Sequence, residues 1–135
     1  MGTRAVIRVG QGIRIATHWD GNPDSLGKDL ATRIPAAVKR RVEEIKVSED
    51  IVRHQEVVKT TWCVAAEHSI DFATTAGEAN FRKIYDDFAE YEYEVSPTDM
   101  SVRGRACGRT DQDPERKCSP WRDVKTEAKR IEKGV

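Results

Sequence analysis

Arg4-Ala5-Val6-Ile7-Arg8-Val9-Gly10-Gln11-Gly12-Ile13-Arg14-Ile15-Ala16-Thr17-His18 decides how the chain begins to fold. Its two halves are rich in β-branched residues and meet at Gly10-Gln11-Gly12, which reads as a β-hairpin over residues 3–18. The side chains set the register. A three-residue loop opposes Val9 to Ile13, Ile7 to Ile15 and Ala5 to Thr17, and gathers the strong apolar residues except Val6 on one face. A two-residue loop would set Ile7 against Arg14, and a slip of one residue turns every side chain to the wrong face. The favoured register puts Arg4 across from His18, on the second face with Val6, Arg8, Arg14 and Ala16.

Downstream, residues 19–25 are dense in turn formers. Leu26, Leu30, Ile34, Val38, Val42 and Ile45 then recur at helical spacing, with Asp24 or Ser25 as N-cap. Pro35 inside this pattern predicts a kink or two consecutive helices meeting near Ile34. Ser48 or Asp50 opens a further helix carrying Ile51, Val58, Trp62 and Ala65 on one side. The β-branched run Val57-Val58-Lys59-Thr60-Thr61 keeps a strand in competition there, over residues 50–67. Thr75-Ala76-Gly77-Glu78 fits a capping box, followed by a core-facing stripe of Phe81, Ile84, Tyr85 and Phe88.

Glu90-Tyr91-Glu92-Tyr93-Glu94-Val95 alternates strictly, Ser96-Pro97-Thr98-Asp99 is a turn, and Met100 to Cys107 returns. Opposing Val95 to Met100 also pairs Tyr93 with Val102, Glu92 with Arg103 and Glu90 with Arg105. One face of this second hairpin, over 89–107, is then apolar and the other sets carboxylates against guanidiniums. Residues 108–118 read as a polar linker. Ser119-Pro120 opens a last helix over 119–133, with Trp121, Val124, Ala128 and Ile131 as its apolar stripe, docked on the same domain. The expected fold is α+β: an antiparallel sheet of about four strands from the two hairpins, with helices on one face, making a single domain over 1–107.

The composition narrows the function. At 135 residues the chain is one domain. Its 23 basic and 23 acidic residues cancel, which argues against a dedicated nucleic-acid binder. No apolar run approaches the roughly 18 residues of a membrane span, and the first residues lack the apolar core of a secretory signal, so a soluble, cytoplasmic protein is expected. Three cysteines, Cys63, Cys107 and Cys118, make a poor disulfide framework and are expected as reduced thiols; a Cys107–Cys118 bridge is allowed but not required. Of Cys63, His68, Cys107 and Cys118, the first two are separated by four residues, within zinc-like spacing, but the last two by ten, so neither metal nor cofactor is expected. Nucleotide-binding, nucleophile-elbow and zinc-protease motifs are missing.

The chemistry concentrates at His18-Trp19-Asp20-Gly21-Asn22-Pro23. The hairpin register brings Arg4 beside His18, and Asp20 lies two residues on. A histidine with a carboxylate serves acid–base or metal chemistry, and an arginine suits a phosphate or carboxylate. Turn formation is the competing reading, since Asp-Gly-Asn-Pro is ordinary turn chemistry. A second possibility is a basic face shared by Arg4, Arg8, Arg14, Arg103 and Arg105, partly neutralised by Glu90 and Glu92.

The opening Met1-Gly2-Thr3-Arg4-Ala5, together with His18-Trp19-Asp20-Gly21-Asn22-Pro23 and Leu26-Gly27, resembles a group of small uncharacterised prokaryotic and phage proteins with a Gly-Thr-Arg strand and a His-Trp-Asp-Gly-x-Pro stretch. Asn22 stands where an aromatic residue is common in that group. The resemblance covers about the first 30 residues and implies no activity, but it adds weight to Arg4, His18 and Asp20.

The sequence therefore predicts a binding or interaction module with an anion-accepting site at the end of the first hairpin, formed by Arg4, His18, Trp19 and Asp20. Its partner would be an anionic small molecule or a protein. A small hydrolase using His18 and Asp20 as base or metal ligands is the alternative. A structural protein that dimerises through a hairpin edge is the third reading.

Overall fold

The computed structural model describes residues 3–76, 81, 85, 88–108 and 115–124. Strands β1 (Ala5–Val9) and β2 (Ile13–Thr17) form the first hairpin in the expected register, with Val9 opposite Ile13, Ile7 opposite Ile15 and Ala5 opposite Thr17. Gly10, at φ +59, supplies the left-handed residue that the three-residue loop needs.

A single π-helical turn, Pro23–Gly27, leads directly into α1 (Lys28–Ile45). The start therefore falls at Asn22 and Pro23 rather than at Asp24 or Ser25, and the proline takes the N1 place where its missing N–H costs nothing. Pro35 does not split the element: α1 runs through it as one helix. Pro35 is exposed, while Leu26, Leu30, Ile34 and Val38 bury the opposite side. Lys46 closes α1 in a left-handed conformation, its N–H bonded to the Val42 carbonyl at 2.9 Å. After a short connection α2 (Glu49–Glu67) packs against α1. The β-branched run is thus helical. Its face is turned from the expected one: Val52, Val57, Thr61, Val64 and Ala65 are buried and Ile51 is 69% exposed. Thr61 satisfies its buried hydroxyl on the Val57 carbonyl at 2.8 Å.

The sheet is larger than expected and mixed. Strands β3 (Ile70–Thr74), β4 (Tyr91–Val95), β5 (Val102–Gly108) and β6 (Lys117–Cys118) join the hairpin in the order β3-β2-β1-β4-β5-β6, and β7 (Arg122–Asp123) also pairs with β5. The four-stranded antiparallel sheet is corrected in two ways. β3 adds an outer strand beside β2, and β1 meets β4 in parallel, Ile7 beside Tyr93. Hydrogen bonds from the Glu90 and Tyr91 amides to the Arg4 carbonyl (3.0 and 3.4 Å) start this parallel ladder.

The second hairpin keeps its predicted faces but is displaced by two residues. Val95 faces Val102, Tyr93 faces Gly104, Glu92 faces Arg105 and Glu94 faces Arg103. Packing supplies the reason. The fully buried Tyr93 ring lies over Gly104, where a Cβ would stand 2.9 Å from the ring. No residue with a side chain fits opposite Tyr93 without displacing it.

Residues 117–118, expected in a linker, form β6, and residues 119–123, expected to begin a helix, are extended around β7. Ser119 docks on β5: its amide donates to the Ala106 carbonyl (2.8 Å) and its hydroxyl oxygen accepts from the Ala106 amide (3.1 Å). The rest of the expected last helix, residue 84 of the aromatic stripe and residues 109–114 lie outside the described residues.

The main core lies between the sheet and the helices, around Ile7, Ile15, Leu30, Ile34, Val57 and Tyr93. Each fully buried side chain of this size contributes about 1.5–3 kcal/mol. The other face carries a smaller cluster of Val6, Ala16, Phe81 and Ala89, bordered by Phe72 and Tyr85. No helix among the described residues is long and apolar enough to cross a membrane.

Candidate functional site

The first hairpin ends in a cavity of about 220 Å³ whose walls include Arg4, Thr17, Asp71, Tyr85, Phe88 and Ala89. Backbone irregularity builds it. Along β2 and β3, Ala16 faces Phe72 but Thr17 faces Ile70, so Asp71 is the extra residue of a bulge. A bulge re-aims a side chain that a regular ladder would keep in line. Arg4 precedes β1, and its carbonyl is held by the amides of Glu90 and Tyr91 at the start of β4. The aromatic wall is ordered by ring packing, with Phe72 stacked on Tyr85 at 5.6 Å and Phe88 58% exposed beside them.

Three polar groups of this cavity have no partner among the described residues. Thr17 is 2% exposed and its buried hydroxyl makes no hydrogen bond. The guanidinium of Arg4 and the carboxylate of Asp71 are exposed and make neither ion pair nor hydrogen bond. A buried hydroxyl left unpaired costs about 1–3 kcal/mol, so its presence beside open charges calls for a partner.

Of the four residues expected from sequence, Arg4 reaches the cavity, whereas His18, Trp19 and Asp20 are not among its walls. They build the turn. The His18 amide bonds the Ser69 carbonyl at 2.9 Å, and the Trp19 amide bonds the His68 carbonyl at 3.0 Å. The His18 ring meets Trp19 edge-on at 4.6 Å. Asp20 adopts φ +50 and its carbonyl accepts the Leu26 amide. Gly21 passes so close to β1 that a Cβ would lie 2.7 Å from the Ala5 Cβ. Its carbonyl accepts the Tyr93 hydroxyl at 2.6 Å in the core. Among the described residues the buried His18 Nδ1 has no hydrogen-bond partner, and no hydrogen bond joins His18 to Asp20.

Thr17 reads from sequence as an ordinary strand residue, and the place of Asp71 depends on the bulge. His68, weighed from sequence only as a metal ligand, has a different role. Buried at the end of α2, it bonds the Trp19 carbonyl through Nδ1 (2.9 Å) and Asp29 through Nε2 (3.2 Å), fixing the turn to both helices.

A second polar centre lies further along the same face. Glu92 is 1% exposed, and its carboxylate meets Arg8 (2.5 Å), Arg105 (2.9 Å) and Arg116 (2.9 Å). Burial pushes this carboxyl up, but the hydrogen bonds from Arg105 and Arg8, the Arg8 charge and the Arg116 bond outweigh it and hold it below the usual carboxylate range. Arg103 pairs with Glu94, and Arg105 also lies over the Trp121 ring at 4.4 Å. The basic face read from the alternation is therefore largely neutralised.

Cys107 and Cys118 face each other across β5 and β6 and form a disulfide, which corrects the expectation of three free thiols; Cys63 is free and exposed on α2. Cys63, His68 and the bridged pair are thus not gathered into one site. Glu92 and the two sulfurs do lie within 4.8 Å of one another. With three guanidiniums on that carboxylate and the sulfurs bonded together, the cluster is an ion-pair hub and repels a cation. Comparison of the chain with models of protein families, with curated proteins and with solved structures finds no match.

Proposed function

We propose that the protein is a small binding module whose ligand occupies the cavity at the end of the first hairpin, with its anionic group on Arg4. The exposed Arg4 guanidinium and Asp71 carboxylate, brought together on the walls of one cavity with no partner among the described residues, carry the reading. Arg4 supplies two-pronged recognition of a carboxylate or phosphate, Asp71 accepts from a donor on the same molecule, and Phe88 offers an apolar surface. The volume is below the roughly 300–1,000 Å³ of drug-sized sites, which favours a ligand of metabolite size.

Phenyl phosphate, with inorganic phosphate in parallel, tests this by amide chemical shifts on the labelled protein. The expected result is a saturable response confined to Arg4, Val6, Thr17 and Asp71. Arg4→Ala should weaken it by about tenfold or more, the loss of a charge-assisted hydrogen bond. Equal binding by wild type, Arg4→Ala and Thr17→Val, or shifts scattered over the surface, would refute the proposal.

A further inference from the structure

We propose that Cys107 and Cys118 are a redox-active pair that exchanges with external dithiols and disulfides, Cys118 being the sulfur that becomes a thiolate. The site is separate from the cavity and rests on its own observations. The two sulfurs differ in their nearest charged group, although the Glu92 carboxylate lies within 4.8 Å of both. Arg116 Nη1 lies 3.6 Å from Cys118 Sγ, whereas Glu92 Oε2 lies 3.6 Å from Cys107 Sγ. A guanidinium favours a thiolate, and an ionised carboxylate favours a protonated thiol that can donate to it. Once reduced, the pair is therefore divided into a Cys118 thiolate against Arg116 and a Cys107 thiol donating to Glu92.

The remaining charged groups do not erase this contrast. Arg8 and Arg105 are bound to the Glu92 carboxylate. Glu90, whose carbonyl accepts the Cys107 amide at 2.8 Å, and Lys117, beside Cys118, have exposed side chains. The arrangement does not depend on the bridge. Arg116 is held by Glu92 and by the Ala89 carbonyl (2.8 Å), and Ser119 is held to Ala106, so both flanks of Cys118 stay docked when the S–S bond opens.

In the reductive direction, a thiolate of an external dithiol attacks Cys107 Sγ. A mixed disulfide forms, the Cys107–Cys118 bond breaks, and its electron pair leaves on Cys118 beside Arg116. The donor's second thiol then attacks its own sulfur in the mixed disulfide and releases Cys107, which takes up a proton. The donor ends as a disulfide, two electrons reach the protein, and one proton is lost to solvent because Cys118 remains a thiolate. A leaving sulfur of low pKa departs fastest, which sets this polarity.

The test is alkylation of the dithiothreitol-reduced protein by iodoacetamide from pH 5 to 9, read cysteine by cysteine by mass spectrometry, with exposed Cys63 as internal reference. Near pH 6 Cys118 should react about tenfold or more faster than Cys107, and faster than Cys63. Arg116→Met should abolish the advantage and Arg116→Lys should retain most of it, with circular dichroism confirming that both variants fold. A shared pH profile for Cys107 and Cys118, an Arg116→Met variant that keeps the difference, or a bridge that yields to dithiothreitol only when the chain unfolds would overturn the proposal and leave a structural staple.

Discussion

Replacing Glu92 by Gln removes one charge from a centre where three guanidiniums converge on a carboxylate with 1% exposure. Removing one partner of a buried ion pair costs about 3–5 kcal/mol, because the remaining charges are left uncompensated. Here the three arginine side chains keep 15–26% of their exposure and recover some hydration, which places the cost near the lower end, about 3 kcal/mol. With an unfolding entropy of about 2.1 cal/mol/K per residue, that lowers Tm by roughly 10 °C. Thermal and urea unfolding followed by circular dichroism measure it. Glu94→Gln is the matched control: same strand, same face, same charge change, but its pair with Arg103 is open to water and is worth about 0–1 kcal/mol. The pH dependence is a second, independent readout. The folded-state pKa of Glu92 is depressed, so its stabilisation is fully present above the unfolded value of about 4.3 and is lost as pH falls through the lower folded value. Wild type should therefore lose stability below about pH 4.5 more steeply than Glu92→Gln. Equal stability of the Glu92→Gln and Glu94→Gln variants, or equal acid slopes for wild type and Glu92→Gln, would refute the assignment of Glu92 as the hub of this face.

Three core positions give sharper steric tests. Gly104→Ala puts a Cβ 2.9 Å from the Tyr93 ring and should cost about 1–3 kcal/mol in urea unfolding. Tyr93→Phe leaves the buried Gly21 carbonyl without its hydroxyl donor and should cost a further ~1–3 kcal/mol by the same measurement. Because the hydroxyl anchors the ring that Gly104→Ala must displace, the double variant should be less destabilised than the sum of the two, by about 0.5 kcal/mol or more. Gly21→Ala meets backbone at 2.8 Å from the Thr3 carbonyl and should reduce the yield of folded protein more than Gly12→Ala, whose nearest contact is 3.4 Å.

The first hairpin was legible because only one register puts its strong apolar residues, Val6 apart, on a common face. The second was legible in parity alone. A two-residue displacement leaves Tyr93 and Val95 inward and Glu92 and Glu94 outward, so alternation cannot distinguish the two registers; the Tyr93 ring against Gly104 does, and that is a tertiary contact. The parallel pairing of β1 with β4 joins segments more than eighty residues apart and leaves no local mark. In α2 the β-branched residues Val57, Val58, Thr60 and Thr61 argue locally for a strand, and burial of Val57 and Thr61 beside α1 and the sheet overrides them. β3 is short and its bulge, which brings Asp71 to the cavity, cannot be read from five residues.

The same contrast explains how much of the site could be anticipated. A sheet face rich in arginine reads from sequence as an open basic surface, and the structure gives almost every one of those arginines an assignment. Arg8 and Arg105 go to Glu92, Arg103 to Glu94, and Arg14 lies over the Phe81 ring at 5.8 Å. Arg4 is the exception among them. It stands just beyond the ladder and lines the same cavity as Thr17 and Asp71. A chain of zero net charge that pairs its sheet arginines this thoroughly has little electrostatic reason to leave one open next to a buried, unbonded hydroxyl. A guest that pairs with Arg4 removes the anomaly. His18, Trp19 and Asp20, the more conspicuous residues in the sequence, fix the turn that holds this end of the hairpin against α2 and the core.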